Sequence, residues 1–454
     1  MTSPTVRRVS ECFIKPRHVL SQDTNQPIYF NPFELVLLNL NYSQKGLLFA
    51  KPPLCENQPF SITTFLNDLK HSLSTTLTHF YPLAARFATR KQENPPSYVI
   101  YLDPENSPGV KFIHATLDAT ISDIIMSAYV PSFVHSFFDL NDAINHDGHT
   151  LPLLSIQVTE LSDGIFIGGS INHMLADGAS FWHFMSAWSQ MFRSKDDENG
   201  RFVSCSPVFK RWILEGYDPI TNLPFTHHDQ FIERSVKPQF TERFFHFSAI
   251  SVSKLKAKAN TECNTQKISS LQAVSALLWR CVTRARKRPL ESETVCKLAS
   301  NNRRRVKPSL SDGYFGSLID TIVGTTTVEE LMAHGLGWAA LRIHDVVANH
   351  DFEAVKRRAE WWYKNRVIFK TSGVSHPNTV YIGSSPRFDM YGCEFGLGKA
   401  VAARSGLMNK SDGGVTMYPG REGDGSMDVE VCLLPGYMVD LECDEELISA
   451  LKSN

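Results

Sequence analysis

The chain has 454 residues and a formal net charge of −1, with 42% hydrophobic and 20% charged residues. A chain this long exceeds what one hydrophobic core usually serves, so two domains are expected. The near-zero charge gives no field to attract nucleic acid or an anionic membrane surface, and no apolar run reaches the roughly 18 residues that span a bilayer. We therefore expect no nucleic-acid partner and no membrane partner.

The cysteines bear on the redox environment. Nine are scattered along the chain, without a C-x-x-C pair. An odd count and wide scatter argue against a disulfide framework and against a zinc site. The first residues carry no apolar core of the kind a signal peptide has. We expect free thiols, no bound metal and a cytoplasmic location.

The first 200 residues alternate between strand and helix patterns. Apolar residues at three- and four-residue spacing predict a helix over 65–77, which Pro82 ends. Strand formers on either side of a Ser162-Asp-Gly164 turn predict a hairpin over 151–172. A helix bearing apolar residues around much of its circumference is predicted over 181–191, and it should be buried. These elements predict an α/β domain over 1–200.

The second half repeats the mixture. Residues 201–235 lack periodicity and carry several prolines, which predicts a crossover between domains. The predicted elements after it are a strand at 244–247, a basic helix around 254–258, a helix over 272–286 capped by Ser269 and Ser270, a strand over 427–433 and a short helix capped by Asp444. We predict a second α/β domain over 236–454.

Signatures of several other site types are missing or incomplete. The G-x-S-x-G elbow and the phosphate-binding G-x-x-x-x-G-K-[ST] loop do not occur, and Gly396-Leu-Gly398 lacks the third glycine of a dinucleotide loop. His146-Asp-Gly-His149 and His227-His-Asp229 resemble metal ligands. Because neither has further spaced partners, solvated loops are the better interpretation.

The spacing H-x-x-x-D is the remaining catalytic candidate. It occurs at His114–Asp118, His135–Asp139 and His173–Asp177. A solvated strand edge or loop accounts for the first, and packing in an aromatic segment accounts for the second. The third follows a predicted core strand and precedes a buried helix, and a loop on such rigid supports is where catalytic side chains are usually displayed. Context therefore selects His173.

An imidazole at this place suits acyl transfer. When a hydroxyl or amine attacks a thioester its proton has to leave, and a neutral histidine accepts it near neutral pH. Asp177 has three possible roles: it could orient His173, lock the loop onto a cation, or cap the following helix. The sequence leaves these roles open, and they can coexist.

Five ordered motifs extend this reading to the whole chain. They are Tyr81-Pro-Leu-Ala-Ala-Arg86, His173-Met-Leu-Ala-Asp177-Gly178, Trp279-Arg280, Asn302-Arg-Arg-Arg305 followed by Gly313-Tyr-Phe-Gly316, and Glu394-Phe-Gly-Leu-Gly398-Lys. From end to end the chain resembles the BAHD family of plant acyl-CoA-dependent acyltransferases. The resemblance implies two chloramphenicol-acetyltransferase-like domains, joined by a long crossover, with a channel between them.

The resemblance also implies an activity and partners. His173 would act as the general base in a ternary complex with acyl-CoA and a small plant metabolite. Acyl-CoA would be a co-substrate, with no permanently bound cofactor, and the protein would be a monomer. Asp177 would lock its loop by pairing with Arg303, and the Glu394 loop would support the channel from a distance. Coenzyme A would lie near Lys256, Ser270 and Gly398.

The chain also departs from the family pattern. Glu394 replaces an aspartate and Leu397 a tryptophan. Ser385 stands where family members often have a tryptophan that helps to stabilise the oxyanion, which leaves that partner open. Arg387 matches the family's arginine and either binds an acidic acceptor or pairs within the core. Two alternatives follow: lyase or hydrolase chemistry on a carboxylated small molecule, or a binding relative without turnover.

Overall fold

The computed structural model describes residues 4–18, 25–52, 60–194, 204–234, 239–370 and 377–452. Its strands are β1 (Arg7–Ile14), β2 (Ile28–Tyr29), β3 (Ser43–Ala50), β4 (Arg86–Glu93), β5 (Pro96–Asp103), β6 (Val110–Thr116), β7 (Leu154–Glu160), β8 (Gly164–Ile171), β9 (Thr241–Phe247), β10 (Glu293–Asn301), β11 (Ile319–Thr327), β12 (Thr379–Gly383), β13 (Ala402–Ser405), β14 (Gly414–Pro419) and β15 (Met427–Leu433). The helices are α1 (Pro32–Leu35), α2 (Ile62–His79), α3 (Ile121–Ile125), α4 (Gly178–Arg193), α5 (Ala249–Glu262), α6 (Ser270–Ala285), α7 (Val328–Ala333), α8 (Leu336–Ala348), α9 (Phe352–Asn365), α10 (Pro435–Glu442) and α11 (Glu445–Leu451). Among the described residues, no helix is both long and apolar enough to cross a bilayer.

The first domain is built on a six-stranded sheet in the order β1-β6-β7-β8-β3-β13, in which only β6 and β7 run parallel. Helices α2 and α4 pack together, and the buried Trp188 of α4 donates from its ring nitrogen to Ser72 of α2 at 3.1 Å. Apolar residues of both helices share one core with β7 and β8. This core fixes the end of β8 and the start of α4, and therefore the loop between them.

The second domain repeats this plan. Its sheet has the order β11-β10-β12-β14-β15-β9, and helices α5, α6 and α8 pack into one core with it. The second core is separate from the first. The two α/β domains predicted from the sequence are present.

The two domains do not correspond to two separate stretches of the sequence. Strand β13 follows the predicted boundary at 236 by more than 160 residues, yet it pairs with β3 at the edge of the first sheet. The register sets Ala402 opposite Leu48 and Ser405 opposite Lys45. Because β13 buries its alanines in this way, the range 236–454 is not a self-contained unit. The second half of the chain contributes a strand to the first sheet.

The crossover touches both domains. In its described part, 204–234, Leu223 forms a bridge with Tyr98 of the first domain, and Val208 forms one with Tyr314 of the second. The backbone of Val208 donates to Gly313 at 2.8 Å. The crossover therefore lies along the line where the domains meet.

The predicted secondary structure agrees with these elements. The helix predicted over 65–77 is α2, the hairpin is β7 with β8, and the buried helix is α4. In the second half the predicted elements correspond to β9, α5, α6, β15 and α11, with Ser269 and Asp444 as helix caps. One placement was wrong: His114 lies on β6, which has neighbours on both sides and is not an edge strand.

Candidate active site

Hydrogen bonds of Asn145 and Asn172 fix the loop between β8 and α4. The backbone N–H of His173 donates to the side-chain oxygen of Asn145 at 2.7 Å, and the Asn172 side chain donates to the Asn145 carbonyl at 2.8 Å. Asn145 in turn donates to the carbonyl of Leu37 at 2.8 Å. These hydrogen bonds fix the backbone of the loop and do not involve the imidazole of His173.

The imidazole of His173 is half-buried. Its Nδ1 has no hydrogen-bond partner among the described residues. A neutral imidazole carries its proton on one ring nitrogen and has a lone pair on the other, which can accept a proton. Burial lowers the pKa of His173 from its ordinary value, and the positive charge of Lys45 lowers it further. The backbone of His173 and the negative charge of Asp177 raise this pKa, but by less. His173 is therefore neutral near pH 7 and able to accept a proton.

Asp177 is 1% exposed and faces the second domain. Its two oxygens accept from the two terminal nitrogens of Arg303 at 2.6 and 2.9 Å, and Oδ2 also accepts from the backbone N–H of Leu318 at 3.1 Å. Oδ1 accepts from the backbone N–H of Ser180 at 3.0 Å, which caps α4. The expected pairing with Arg303 and the N-cap role therefore coexist.

The charge of Asp177 is stabilised by these bonds. Burial alone would raise the pKa of its carboxyl, but the Arg303 charge and the hydrogen bonds outweigh burial and lower it. Arg303 also donates to Ser180 and Gly316, and its guanidinium lies 5.2 Å from the centre of the Tyr314 ring. Since Asp177 is fully engaged with Arg303, it does not orient His173.

A second buried ion pair joins the domains nearby. Arg211 of the crossover contacts Glu34 of α1 at 2.8 Å and donates to the carbonyl of Phe315 at 2.8 Å. Glu34 also accepts from the backbone N–H of Ser317 at 3.3 Å. Burial raises the pKa of Glu34 to about 7, more than Arg211 lowers it. The sequence analysis missed this pair, although Asn31-x-x-Glu34 is a capping-box pattern that marks the helix start.

The Glu394 loop lies at the far end of α4. Glu394 contacts Arg193 at 3.7 Å, and the backbone N–H of Phe395 donates to Ser189 at 3.2 Å. Helix α4 has 16 residues, so its rise separates this loop from Asp177 by about 24 Å. Leu397 packs against the edge of the first core, where the family has a larger ring. The Glu394 loop is therefore remote from the start of α4.

The segment after β12 reaches the catalytic loop. The Phe388 ring lies so close to Gly178 that a Cβ there would meet it at 3.1 Å. The Ser385 hydroxyl accepts from the backbone N–H of Arg387 at 3.2 Å, which leaves its own proton free to donate. Arg387 is exposed, and this excludes the alternative in which it pairs within the core. Ser384 has a left-handed φ of 64° and a buried hydroxyl without a partner in the described chain.

The residues predicted to contact coenzyme A lie on three elements. Lys256 is exposed on α5, and Ser270 is the half-buried first residue of α6, which packs against α5. Gly398 is exposed on the Glu394 loop with a φ of 78°, and a Cβ there would meet nothing within 4 Å. Lys256 and Ser270 are thus on neighbouring helices, while Gly398 is on a separate loop.

The remaining candidate histidines from the sequence analysis lie elsewhere in the structure. His114 lies 3.8 Å from Glu160, and His135 lies 2.9 Å from Glu242. His227, His228 and Asp229 are exposed, as expected for a solvated loop. Their possible ligand atoms lie within 4.8 Å of one another. His146 and His149 are instead half-buried, and burial lowers the pKa of His146 to about 4, so the solvated-loop expectation was wrong for this pair.

The structure thus has two mixed α/β domains, and a buried aspartate–arginine pair ties the histidine loop across their interface. A model described as the Transferase family matches residues 21–448. An Arabidopsis thaliana protein described as an uncharacterized acetyltransferase is 37% identical over 97% of this chain and 98% of its own length. Another, described as BAHD acyltransferase DCR, is 32% identical over 98% of this chain and 92% of its own. The chain belongs to the BAHD acyltransferase family.

Solved structures of the same fold agree. Vinorine synthase superposes with a TM-score of 0.74 at 20% identity, covering 99% of each chain. F. graminearum TRI101, solved with coenzyme A and deoxynivalenol, gives a TM-score of 0.74 at 17% identity, covering 93% of this chain and 98% of its own. The fold is therefore the two-domain, chloramphenicol-acetyltransferase-like fold that the sequence resemblance implied.

Proposed function

We propose that the protein transfers an acyl group from acyl-CoA to a hydroxyl or amine of a small plant metabolite, with His173 as the general base. The observation that carries this proposal is the state of His173. Burial lowers the pKa of its ring, its side chain forms no hydrogen bond to another residue of the described chain, and its backbone N–H donates to Asn145. The membership of an acyltransferase family supports acyl transfer over the lyase, hydrolase and non-catalytic alternatives.

The proposed reaction has two steps. Both substrates bind together in a channel between the domains, and Nε2 takes the acceptor's proton as the oxygen or nitrogen attacks the thioester carbonyl. The tetrahedral intermediate then collapses, the carbon–sulfur bond breaks, and the imidazolium returns its proton to the departing thiolate. No bond forms between enzyme and acyl group. General-base assistance of this kind contributes about 10²- to 10⁴-fold in rate.

Other residues are assigned supporting roles. We assign coenzyme A to the surface around Lys256, Ser270 and Gly398, since the first two lie on packed helices of the second domain. The coenzyme A bound in the TRI101 structure supports a donor of this kind. Ser385 and Arg387 are assigned to the acceptor side, because Phe388 brings their segment against Gly178. Asp177 locks the loop, and Glu394 holds the far end of α4.

The setting of the enzyme is part of the proposal. Eight cysteines in the described chain are free thiols, which suits a reducing compartment such as the cytoplasm. The near-zero net charge gives no reason for binding to nucleic acid or anionic lipid. We propose a cytoplasmic monomer.

The direct test uses a panel of acyl-CoAs with a plant metabolite extract, monitoring free thiol and acylated product. Thiol release matched by product supports acyl transfer. Loss of an extract component without thiol release would support lyase or hydrolase chemistry instead. Protein with His173→Ala serves as the control in each reaction.

A further inference from the structure

Lys45 lies in the middle of β3, opposite Gly169 of β8 and Ser405 of β13. Paired residues of neighbouring strands place their side chains on the same face of a sheet. Residues two apart on one strand also share a face, so Lys45 projects from the same face as Ile171, the last residue of β8. Ile171 is two positions before His173. The lysine therefore belongs to the face of the first sheet that carries the catalytic loop.

The carboxylate that affects Lys45 most is already occupied. One oxygen of Glu430 accepts from Lys410 at 2.8 Å, and the other accepts from Ser405 at 2.7 Å and from Tyr418 at 2.9 Å. Lys45 is half-buried, yet it forms no hydrogen bond and no ion pair with any residue of the described chain. Within the described residues it is a partly desolvated cation without a directly paired carboxylate.

Such a group is costly unless a ligand pairs with it. Burial lowers the pKa of Lys45 to about 8, opposed by Glu430 and reinforced by Lys410. The ammonium still carries its proton at neutral pH. The strand register places Lys45 on the sheet face of Ile171, two positions before His173, and the charge of Lys45 accordingly lowers the pKa of His173. An anion bound by Lys45 would therefore lie close to the reacting atoms.

We propose that Lys45 binds a carboxylate of one of the two substrates, so that the enzyme uses an acidic acceptor or a dicarboxylic acyl group. This inference rests on the proposed function, since it assigns Lys45 to the same site as His173. A carboxylate suits this position because its negative charge neutralises the ammonium of Lys45. The two oxygens of Glu430 already accept hydrogen bonds from other residues and can keep them.

Equilibrium binding, measured by titration calorimetry, separates the two sources of the carboxylate. One arm compares succinyl-CoA with butyryl-CoA, which differ by a carboxylate in place of a methyl group. The other compares shikimate with its methyl ester in the presence of coenzyme A. In one of the two arms, the wild-type protein should bind the acid more tightly than its neutral partner. Lys45→Met should weaken binding of that acid by about 30-fold or more and leave the neutral partner unchanged.

Lys45→Arg should keep most of the preference because it keeps the charge, and melting temperatures of all variants control for folding. The preference should also fade as pH rises above about 8, where Lys45 loses its proton. The charged groups that affect the pKa of Lys45 are Glu430, which raises it, and Lys410, which lowers it, while the neighbouring His173 is neutral in this pH range.

Two results would overturn the proposal: no preference for the acid in either arm, or a preference that Lys45→Met retains. The first result holds even if Lys45→Met changes the pH profile of His173, because Lys45 would then act only on the base. Binding does not require turnover, so failure here is distinct from failure of the acyl-transfer proposal. His173→Ala should keep the carboxylate preference in either case.

Discussion

The two ends of the His173–Asp177 loop differ in how their polar atoms are satisfied. At Asp177, both oxygens accept from Arg303, and further hydrogen bonds come from Ser180 and Leu318. At His173, the backbone is fastened, but in the part of the chain that the structure describes the ring Nδ1 has no partner and the neighbouring Lys45 forms no ion pair. In this five-residue motif, Asp177 holds the fold together and His173 remains available for chemistry.

This contrast explains why the spacing of the motif is informative. A loop that must present a neutral base at a domain interface needs a rigid anchor within a few residues. Asp177 supplies the anchor by capping α4 and binding the other domain at once. The base and its anchor are therefore separable, and substitutions at the two ends should have different consequences.

The largest effect on stability is expected from Asp177→Asn. The amide can still cap α4, but Arg303 then remains buried without a counter-charge, which typically costs about 3–5 kcal/mol. The melting temperature should fall markedly, and activity should fall with it. Asp312→Asn is the matched control, since Asp312 forms an exposed pair with Arg304 at 3.3 Å. If Asp177→Asn lost activity at an unchanged melting temperature, Asp177 would belong to the catalytic relay.

A smaller loss is expected from Arg211→Met at the second interdomain pair. Without Arg211 the pKa of Glu34, already raised to about 7, rises further, so the carboxyl is protonated at pH 7 and no charge stays buried. The remaining cost is that of lost hydrogen bonds, about 1–3 kcal/mol. Because a raised folded-state pKa gives stability that is lost as pH increases, the variant should weaken further above pH 7. Chemical unfolding at pH 6 and pH 8 checks this, and a loss equal to that of Asp177→Asn would contradict it.

The smallest effect is expected from Ser385→Ala. The Ser385 hydroxyl accepts from the backbone of its own segment and reaches less far than the tryptophan often found there. We expect kcat to fall by less than about tenfold, whereas loss of a true oxyanion donor costs about 10²- to 10³-fold. Steady-state kinetics with the acyl-CoA and acceptor found in the thiol-release assay would show this. A loss in the larger range would place Ser385 in the oxyanion site.

The elements around the active site were predictable because their patterns are local. The three- and four-residue spacing that defines α2, and the turn between β7 and β8, lie within short stretches of sequence. They place His173 at the end of a core strand, and this selected it from three candidates. The contact of Asp177 with Arg303 was available only through the family resemblance, because 126 positions separate the two residues.

The rest depends on long-range pairing that no local pattern encodes. Strand β13 has four residues, and its partner β3 lies about 350 positions away. The Glu34–Arg211 pair joins a helix start to a segment without periodicity. Lys45 is one lysine in a strand, and only the register with Gly169 and Ser405 shows that it faces the site. Tertiary context determines all three.

The central claim is that the imidazole of His173 does chemistry and not structural work. Its side chain makes no hydrogen bond to another residue of the described chain, and the backbone bond to Asn145 survives substitution. The kcat of His173→Ala, measured on protein with an unchanged melting temperature and coenzyme A affinity, is the most direct test. We predict a loss of about 10²-fold or more. Wild-type turnover in this variant would contradict the account.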